Sequence, residues 1–370
     1  MHHSLALVVL AGASLAAAET HIMFTGFFSK PAIYALEFND TAGTLTLIAN
    51  NTVSATDPKW IALDAKKQTI YATNTGQFHS YALNTTDYSL TFSNAISHPD
   101  ESCTNSNFVM ASQIEPYAVY GVPYTTGCAA LAMNVDDLGA LSAIFGNLSY
   151  SSECGNHGMT ITSDGRFVYS AADAGKAVWA HAVDANADTV TELKYIAAPS
   201  DSDPRHLAVH PNGKFVFVVY EEACELAVLS RDQSTGLLVN TNTTYPLIPE
   251  TLTNTSSYWA DEVTILGSTS SPQYLIAATR SHNETKKGYV TAFSLDATTG
   301  AIVEQLFLTE TTGSGGNANS VSVAGFNEEY FAITDSGDNF IEIWYINGTS
   351  AAPVAHLDLD GQPANVAWYG

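Results

Sequence analysis

One unit returns about every fifty residues along this 370-residue chain, and it constrains the fold more than any single motif does. Its clearest copies are His157-Gly-Met-Thr-Ile-Thr-Ser-Asp-Gly-Arg-Phe-Val-Tyr-Ser and His206-Leu-Ala-Val-His-Pro-Asn-Gly-Lys-Phe-Val-Phe-Val-Val-Tyr. Each is a short apolar run, an Asp-Gly or Asn-Gly turn, and a second run rich in β-branched and aromatic residues. Such dipeptides tolerate the positive φ of tight turns, so the unit reads as a β-hairpin. Divergent copies start at Trp60 (turn at Ala65-Lys66-Lys67), Phe108, Glu262, Ser320 and Asn365. That period is the length of a four-stranded propeller blade.

In the best copy the four strands fall at His206–His210, Lys214–Tyr220, Glu225–Ser230 and Leu237–Tyr245. We call them A to D in each blade. Phe215-Val-Phe-Val-Val-Tyr is apolar without alternation, as expected of a strand covered on both faces. Ile341-Glu-Ile-Trp-Tyr alternates and predicts a more exposed third strand. Counting A strands gives seven, but the last, at Asn365, has nothing behind it before the chain stops at Gly370. The segments His21–Phe27, Ala32–Phe38 and Thr44–Ala49 lack an A strand and complete that blade. The expectation is an all-β, seven-bladed β-propeller over residues 19–370, its ring closed by N-terminal strands pairing with the C-terminal strand.

Residues 1–18 carry the marks of a secretory signal. Leu5 to Leu15 is an apolar stretch too short for a bilayer, and Ala16-Ala17-Ala18 supplies small residues before a cleavage ahead of Glu19. No later segment approaches the ~20 apolar residues of a membrane helix. Sequons at Asn39, Asn50, Asn84, Asn147, Asn242, Asn254, Asn283 and Asn347 fit an extracellular glycoprotein. Four cysteines in an oxidising compartment suggest two disulfides, with Cys103–Cys128 within one blade and Cys154–Cys224 across adjacent blades favoured. A net charge of −24 leaves no basic surface for nucleic acid or anionic membranes, and repels anionic substrates at long range. A ring that closes its own core needs no partner, so a monomer is expected.

The topology puts A-strand starts, B-strand ends and B–C loops on one face around the central channel. Asn74, His157, Arg205, Glu221, Glu222, Asp261, Arg280, Asn319, Asp335 and all four cysteines map there. Of four arginines, Arg166 and Arg231 sit in turns and read as solvated, whereas Arg205 and Arg280 share the channel face. Two guanidiniums there suit carboxylate recognition, because the planar fork donates parallel hydrogen bonds. His157, followed by Gly158, is placed to move a proton near neutral pH. Glu221 ends the most apolar strand, where desolvation raises a carboxyl and pairing with Arg205 opposes that. His206 and His210 belong to the repeat, with His210-Pro as a turn. The chain has no Gly-x-Ser-x-Gly elbow, phosphate loop, Cys-x-x-Cys or His-Glu-x-x-His.

At these residues the chain resembles the fungal carboxy-cis,cis-muconate cyclases of the seven-bladed lactonase family. The similarity lies in His157-Gly-Met with Tyr169-Ser170-Ala171, Pro204-Arg205 with His210-Pro-Asn-Gly, and Tyr245-Pro-Leu-Ile-Pro. It continues through Ala278-Thr-Arg-Ser, Glu304-Gln-Leu-Phe-Leu, Gly315-Gly316-Asn317-Ala318-Asn319 and Phe331-Ala-Ile-Thr-Asp. The resemblance covers most of residues 150–370. It implies a cofactor-free lactonisation of 3-carboxy-cis,cis-muconate, its site falling on His157, Arg205, Glu221 and Arg280. The expected roles are His157 and Glu221 catalytic and Arg205, Arg280 and Asn319 substrate-binding, with no metal. The secretory leader and the strong negative charge depart from it. Two other readings stay open at this point. One is a lactonase opening sugar or other lactones, in some cases with a channel-bound divalent cation. The other is a non-catalytic glycoprotein binding through the propeller, with a glycan at Asn283 near Arg280.

Overall fold

The computed structural model describes residues 19–28, 30–252 and 255–370. The expected leader, residues 1–18, and the sequon Asn254 lie outside the described residues. The repeat becomes seven four-stranded antiparallel sheets. In chain order, β1 (Thr20–Phe27), β2 (Ala32–Asn39) and β3 (Thr44–Thr52) precede six complete sheets. Those six start with β4 (Ile61–Leu63), β8 (Ser106–Ala111), β12 (Asn156–Ile161), β16 (Pro204–Val209), β20 (Tyr258–Ile265) and β24 (Val321–Val323). The final strand, β28 (Pro363–Trp368), pairs antiparallel with β1, so the two ends of the chain build one blade.

The seven A strands touch one another in closed order, β4 to β8, β12, β16, β20, β24, β28 and back to β4. This is the seven-bladed ring. Three of its B strands, β5 (Thr69–Asn74), β9 (Ala118–Pro123) and β13 (Phe167–Ala172), are buried at every position. Each blade's second strand is sandwiched between neighbouring blades, which removes the alternation of a half-exposed strand. The outer strands face water, as the largely exposed β15 (Thr189–Ala197) illustrates.

The repeat is written in turns as well as in core residues. Asn39, Asn84, Asp136, Asp184, Asp232 and Asp296 each open a C–D hairpin and accept a backbone N–H two or three residues on. This is how Asn and Asp side chains stabilise turns. Blade-to-blade ties repeat too. Tyr71 donates its hydroxyl to Gly139 O at 2.8 Å, and Tyr169 does the same to Gly236 O at 2.8 Å in the next blade.

Closure is reinforced by a side chain. Asn365 on β28 donates to Ile61 O at 2.9 Å and accepts from Ile61 N at 3.0 Å across the seam between blades. Asn365→Ala leaves that buried N–H and carbonyl unmet. It is expected to cost about 1–3 kcal/mol in denaturant titration.

Three expectations need correction. The Cys103–Cys128 disulfide is present, but Cys154 and Cys224 are free, buried thiols. They sit in separate apolar clusters: Cys154 packs with Ala172 and Trp179, Cys224 with Ile248, Tyr258 and Tyr289. The Cys224 thiol faces Tyr258 O at 3.3 Å, and burial pushes it up to about 12. Arg231 is buried rather than solvated, donating to the Tyr169 hydroxyl at 2.6 Å and to Gly213 O at 2.8 Å over the Phe167 ring. The strand β26 (Phe340–Asn347) is a third strand but is largely buried. Its Glu342 is satisfied inside by Thr312 Oγ1, Trp344 Nε1 and His356 Nδ1.

Candidate active site

All seven blades send residues to one cavity of about 510 Å³ at the channel mouth. A-strand starts and the segments before them supply Lys59, Trp60, Asn107, His157, Arg205, Trp259 and Asn317. B-strand ends and B–C loops supply Phe28, Tyr124, Asp173, Glu221, Glu222 and Arg280. His157, Arg205, Glu221 and Arg280, far apart in sequence, therefore meet on one wall. Asn74 and Asp335 do not reach the cavity lining.

The centre of the site is a square of two guanidiniums and two carboxylates. Glu221 Oε1 accepts from Arg205 Nη1 at 3.0 Å and from Arg280 Nη2 at 3.1 Å. Asp261 Oδ1 lies 2.6 Å from Arg205 Nη2 and 3.3 Å from Arg280 Nε. Asp261 mapped to the channel face in the sequence, but nothing there marked it as the second bridge. It follows the strand residue Ala260, where the β20–β21 register shifts between Ala260 and Glu262 and turns its carboxyl toward the arginines.

Arg205 Nε also donates to Asp261 O, and Arg280 Nη1 to Gly316 O at 3.2 Å. Each guanidinium carries five N–H groups. Three are engaged on each, so 5 − 3 leaves two per arginine without a partner among the described residues. Trp259 supports the Arg280 plane from below, with the guanidinium carbon 4.2 Å from its ring centroid.

Asn319 is a support of this square and does not line the cavity. Its backbone N–H donates to Asp261 Oδ2 and its side-chain amide to Thr279 O at 3.0 Å. The loop before it is folded by Asp335, which accepts from Gly315 N at 2.9 Å. Gly315 is needed there: its φ is +90°, and a Cβ would come within 2.8 Å of Arg280 Cβ.

Environment separates the two acids. Burial raises Glu221 above the usual carboxylate range, against the pull of Arg205 and Arg280. Burial would also raise Asp261, but the two guanidiniums and the Asn319 N–H bring it below that range. Asp173, beside the Tyr124 hydroxyl at 2.5 Å, is raised by burial. His157 is pushed well below the usual imidazole value, first by burial and then by Arg205, His206, Arg280 and Lys59. The charged form is disfavoured there.

His157 Nδ1 lies 2.8 Å from His206 Nε2, and His206 Nδ1 lies 2.6 Å from Glu262 Oε2. His206 was legible only as part of the repeat. His210 is the turn residue it promised to be, accepting Asn212 N at 3.1 Å. Among the described residues one group has metal-ligand geometry, Glu19, His21 and Asp40. It sits at the start of β1, whereas Phe28, just past that strand's other end, lines the cavity.

A family model described as a seven-bladed β-propeller lactonase matches residues 22–317. The chain is 29% identical to the carboxy-cis,cis-muconate cyclase of Neurospora crassa, covering 94% of this chain and 99% of that one. It is 28% identical to muconate cycloisomerase 1 of Cutaneotrichosporon cutaneum, covering 88% and 91%. The periplasmic gluconolactonase of Pseudomonas aeruginosa superposes with a TM-score of 0.78 at 12% identity, covering 95% and 99%, a likeness of fold.

Proposed function

The chain belongs to the seven-bladed β-propeller lactonase family, and from that premise we propose a cycloisomerase that closes a carboxylated cis,cis-muconate into a muconolactone. The observation that carries this reading is the pair of guanidiniums, fixed by Glu221 and Asp261, with four N–H donors between them that have no partner among the described residues, and His157 in the same cavity. The similarity to the two fungal enzymes supports it.

In the reaction a substrate carboxylate oxygen forms a bond to an alkene carbon, and the neighbouring carbon takes a proton. Nothing leaves and nothing is oxidised. Arg205 and Arg280 clamp substrate carboxylates with paired hydrogen bonds, and holding the attacking oxygen against the alkene supplies much of the acceleration. Asp173 and Glu222 also line the cavity, but His157 and Glu221 are the acids set beside the two guanidiniums. We assign the proton to His157, because Glu221 Oε1 is occupied by both arginines and serves as their spacer. The −24 charge acts at long range and is screened beyond about 8 Å at physiological salt. Within the cavity the guanidiniums dominate.

Secretion belongs to the same proposal. Residues 1–18 are assigned as a cleaved leader. The sequons Asn50, Asn84, Asn147, Asn242, Asn283 and Asn347 are exposed, and Asn39 is half-buried, which suits N-glycans. Self-closure of the ring supports a monomer.

The test is ultraviolet absorbance of purified protein with 3-carboxy-cis,cis-muconate, with and without EDTA. The diene signal is expected to decay equally in both. A flat trace from folded protein would sink the proposal, and turnover abolished by EDTA would favour a cation-dependent lactonase instead. Glu221→Gln makes the assignment of roles visible. Its Oε1 can still accept from both arginines while one negative charge is gone. KM is expected to fall about tenfold, equivalent to about 1.4 kcal/mol. The kcat is expected to stay within a factor of about ten, against the 10²–10⁴ of a lost proton donor.

A further inference from the structure

His157, His206 and Glu262 stand on β12, β16 and β20, the inner strands of three consecutive blades, and their side chains form one line. His157 opens to the cavity, while His206 and Glu262 line a second space deeper in the central channel with Trp60 and Asn365. All three are at least nine-tenths buried. The contacts are 2.8 Å from His157 Nδ1 to His206 Nε2 and 2.6 Å from His206 Nδ1 to Glu262 Oε2. The line is built for. A Cβ on Gly158 would stand 2.6 Å from His206 Cδ2, so glycine is what lets the imidazole lie against β12. The Trp60 and Phe108 rings meet the His206 ring edge-on at 4.9 and 5.5 Å and hold its plane.

Charge is distributed unevenly along this line. His157 faces Arg205, Arg280 and Lys59, with the Tyr124 ring 5.1 Å away and the Asn107 amide 3.2 and 3.4 Å from its two nitrogens. His206 faces Glu262, His157 and the two aromatic rings. The first imidazole therefore stands among cationic side chains, and the second stands one ring further from the guanidiniums and against a carboxylate.

Resting on the cycloisomerase reading, we infer that His206 and Glu262 are positioning residues that hold a proton in reserve behind His157. Glu262 accepts the His206 Nδ1–H, and the proton held in reserve on His206 Nε2 donates to His157 Nδ1. That fixes His157 as the Nε2–H tautomer, with its proton facing the cavity. In turnover the His157 Nε2–H bond breaks as the C–H bond forms on the alkene carbon. The His206 Nε2–H bond breaks as His157 Nδ1–H forms. His206 is left neutral, its Nδ1–H still on Glu262, and the next proton enters along the central channel. Donation requires the reserve proton, so turnover falls as pH rises through its loss.

The test reads the tautomer directly in ¹⁵N-histidine-labelled protein by ring ¹⁵N–¹H correlation across a pH titration, with His157 assigned from the spectrum of His157→Gln. In the wild type His157 is expected to be Nε2–H while His206 is doubly protonated, and to switch to Nδ1–H when His206 loses its proton. Glu262→Gln is expected to move that crossover to lower pH, with the alkaline limb of kcat following, and Glu262→Asp to restore most of it. A wild-type His157 that keeps one tautomer throughout, or a crossover unmoved in Glu262→Gln, overturns the inference. If Glu262→Gln fails to fold, the wild-type titration alone decides. If muconate is not the substrate, the crossover persists without turnover, so the two failures are distinguishable.

Discussion

Replacing Arg280 with alanine is expected to lower kcat/KM for the carboxymuconate by about 10²–10³-fold, the loss typical of one preorganised donor group. The same change strands Glu221 and Asp261 with a single counter-charge in a site where both are more than nine-tenths buried. Breaking a buried ion pair from one side costs about 3–5 kcal/mol, so the melting temperature should fall as well. Arg280→Lys separates the two losses. An ammonium restores the charge, but as a point donor it cannot reach Glu221, Asp261 and Gly316 O together. Stability is expected to recover in part while turnover stays low. Recovery of turnover in the lysine variant would mean that charge alone, without the planar fork, is enough.

His157→Gln is the second large effect. It removes the proton donor and keeps a polar side chain, so kcat is expected to fall by about 10²–10⁴-fold with little change in KM. Glu221→Gln is expected to do the reverse, lowering KM and sparing kcat. Steady-state kinetics on the pair check both roles at once. If Glu221→Gln lost kcat and His157→Gln did not, the donor would be Glu221, whose carboxyl burial has already raised.

The ring was legible because its information is repeated. Seven A strands, turn residues such as Gly165 and Gly213, and the unalternating Phe215–Tyr220 strand recur until blade number and closure follow from counting. Lys67 illustrates the tolerance of the pattern: it adopts the positive φ, 54°, at the turn where the clearer copies place glycine. His157, Arg205, Glu221 and Arg280 were legible by topology, which put them on the channel face, and by resemblance.

The remaining features depend on facts local to one blade. Asp261 becomes the second bridge only through a register shift in β20. His206 looked like a repeat residue and is one, yet its blade position also lays it against Gly158. Arg231 looked solvated because it follows a strand into a turn, but the Tyr169 hydroxyl and Gly213 carbonyl of neighbouring segments draw it inside. The cysteines show the same limit. Topology put Cys154 and Cys224 on one face, and packing gave each thiol its own apolar cluster. Asn319 was legible as a residue of the channel face, but its backbone contact to Asp261 was not.

The central claim is that Arg205 and Arg280 form the carboxylate clamp of this cavity. The most direct measurement is a crystal structure of the protein soaked with 3-carboxymuconolactone, the product, which cannot be consumed in the forward direction. The account predicts lactone in the cavity lined by Trp259 and Tyr124, its carboxylates within hydrogen-bond distance of both guanidiniums and its ring carbon facing His157. Product bound elsewhere on the ring, or a cavity without it at saturating concentration, would contradict the account.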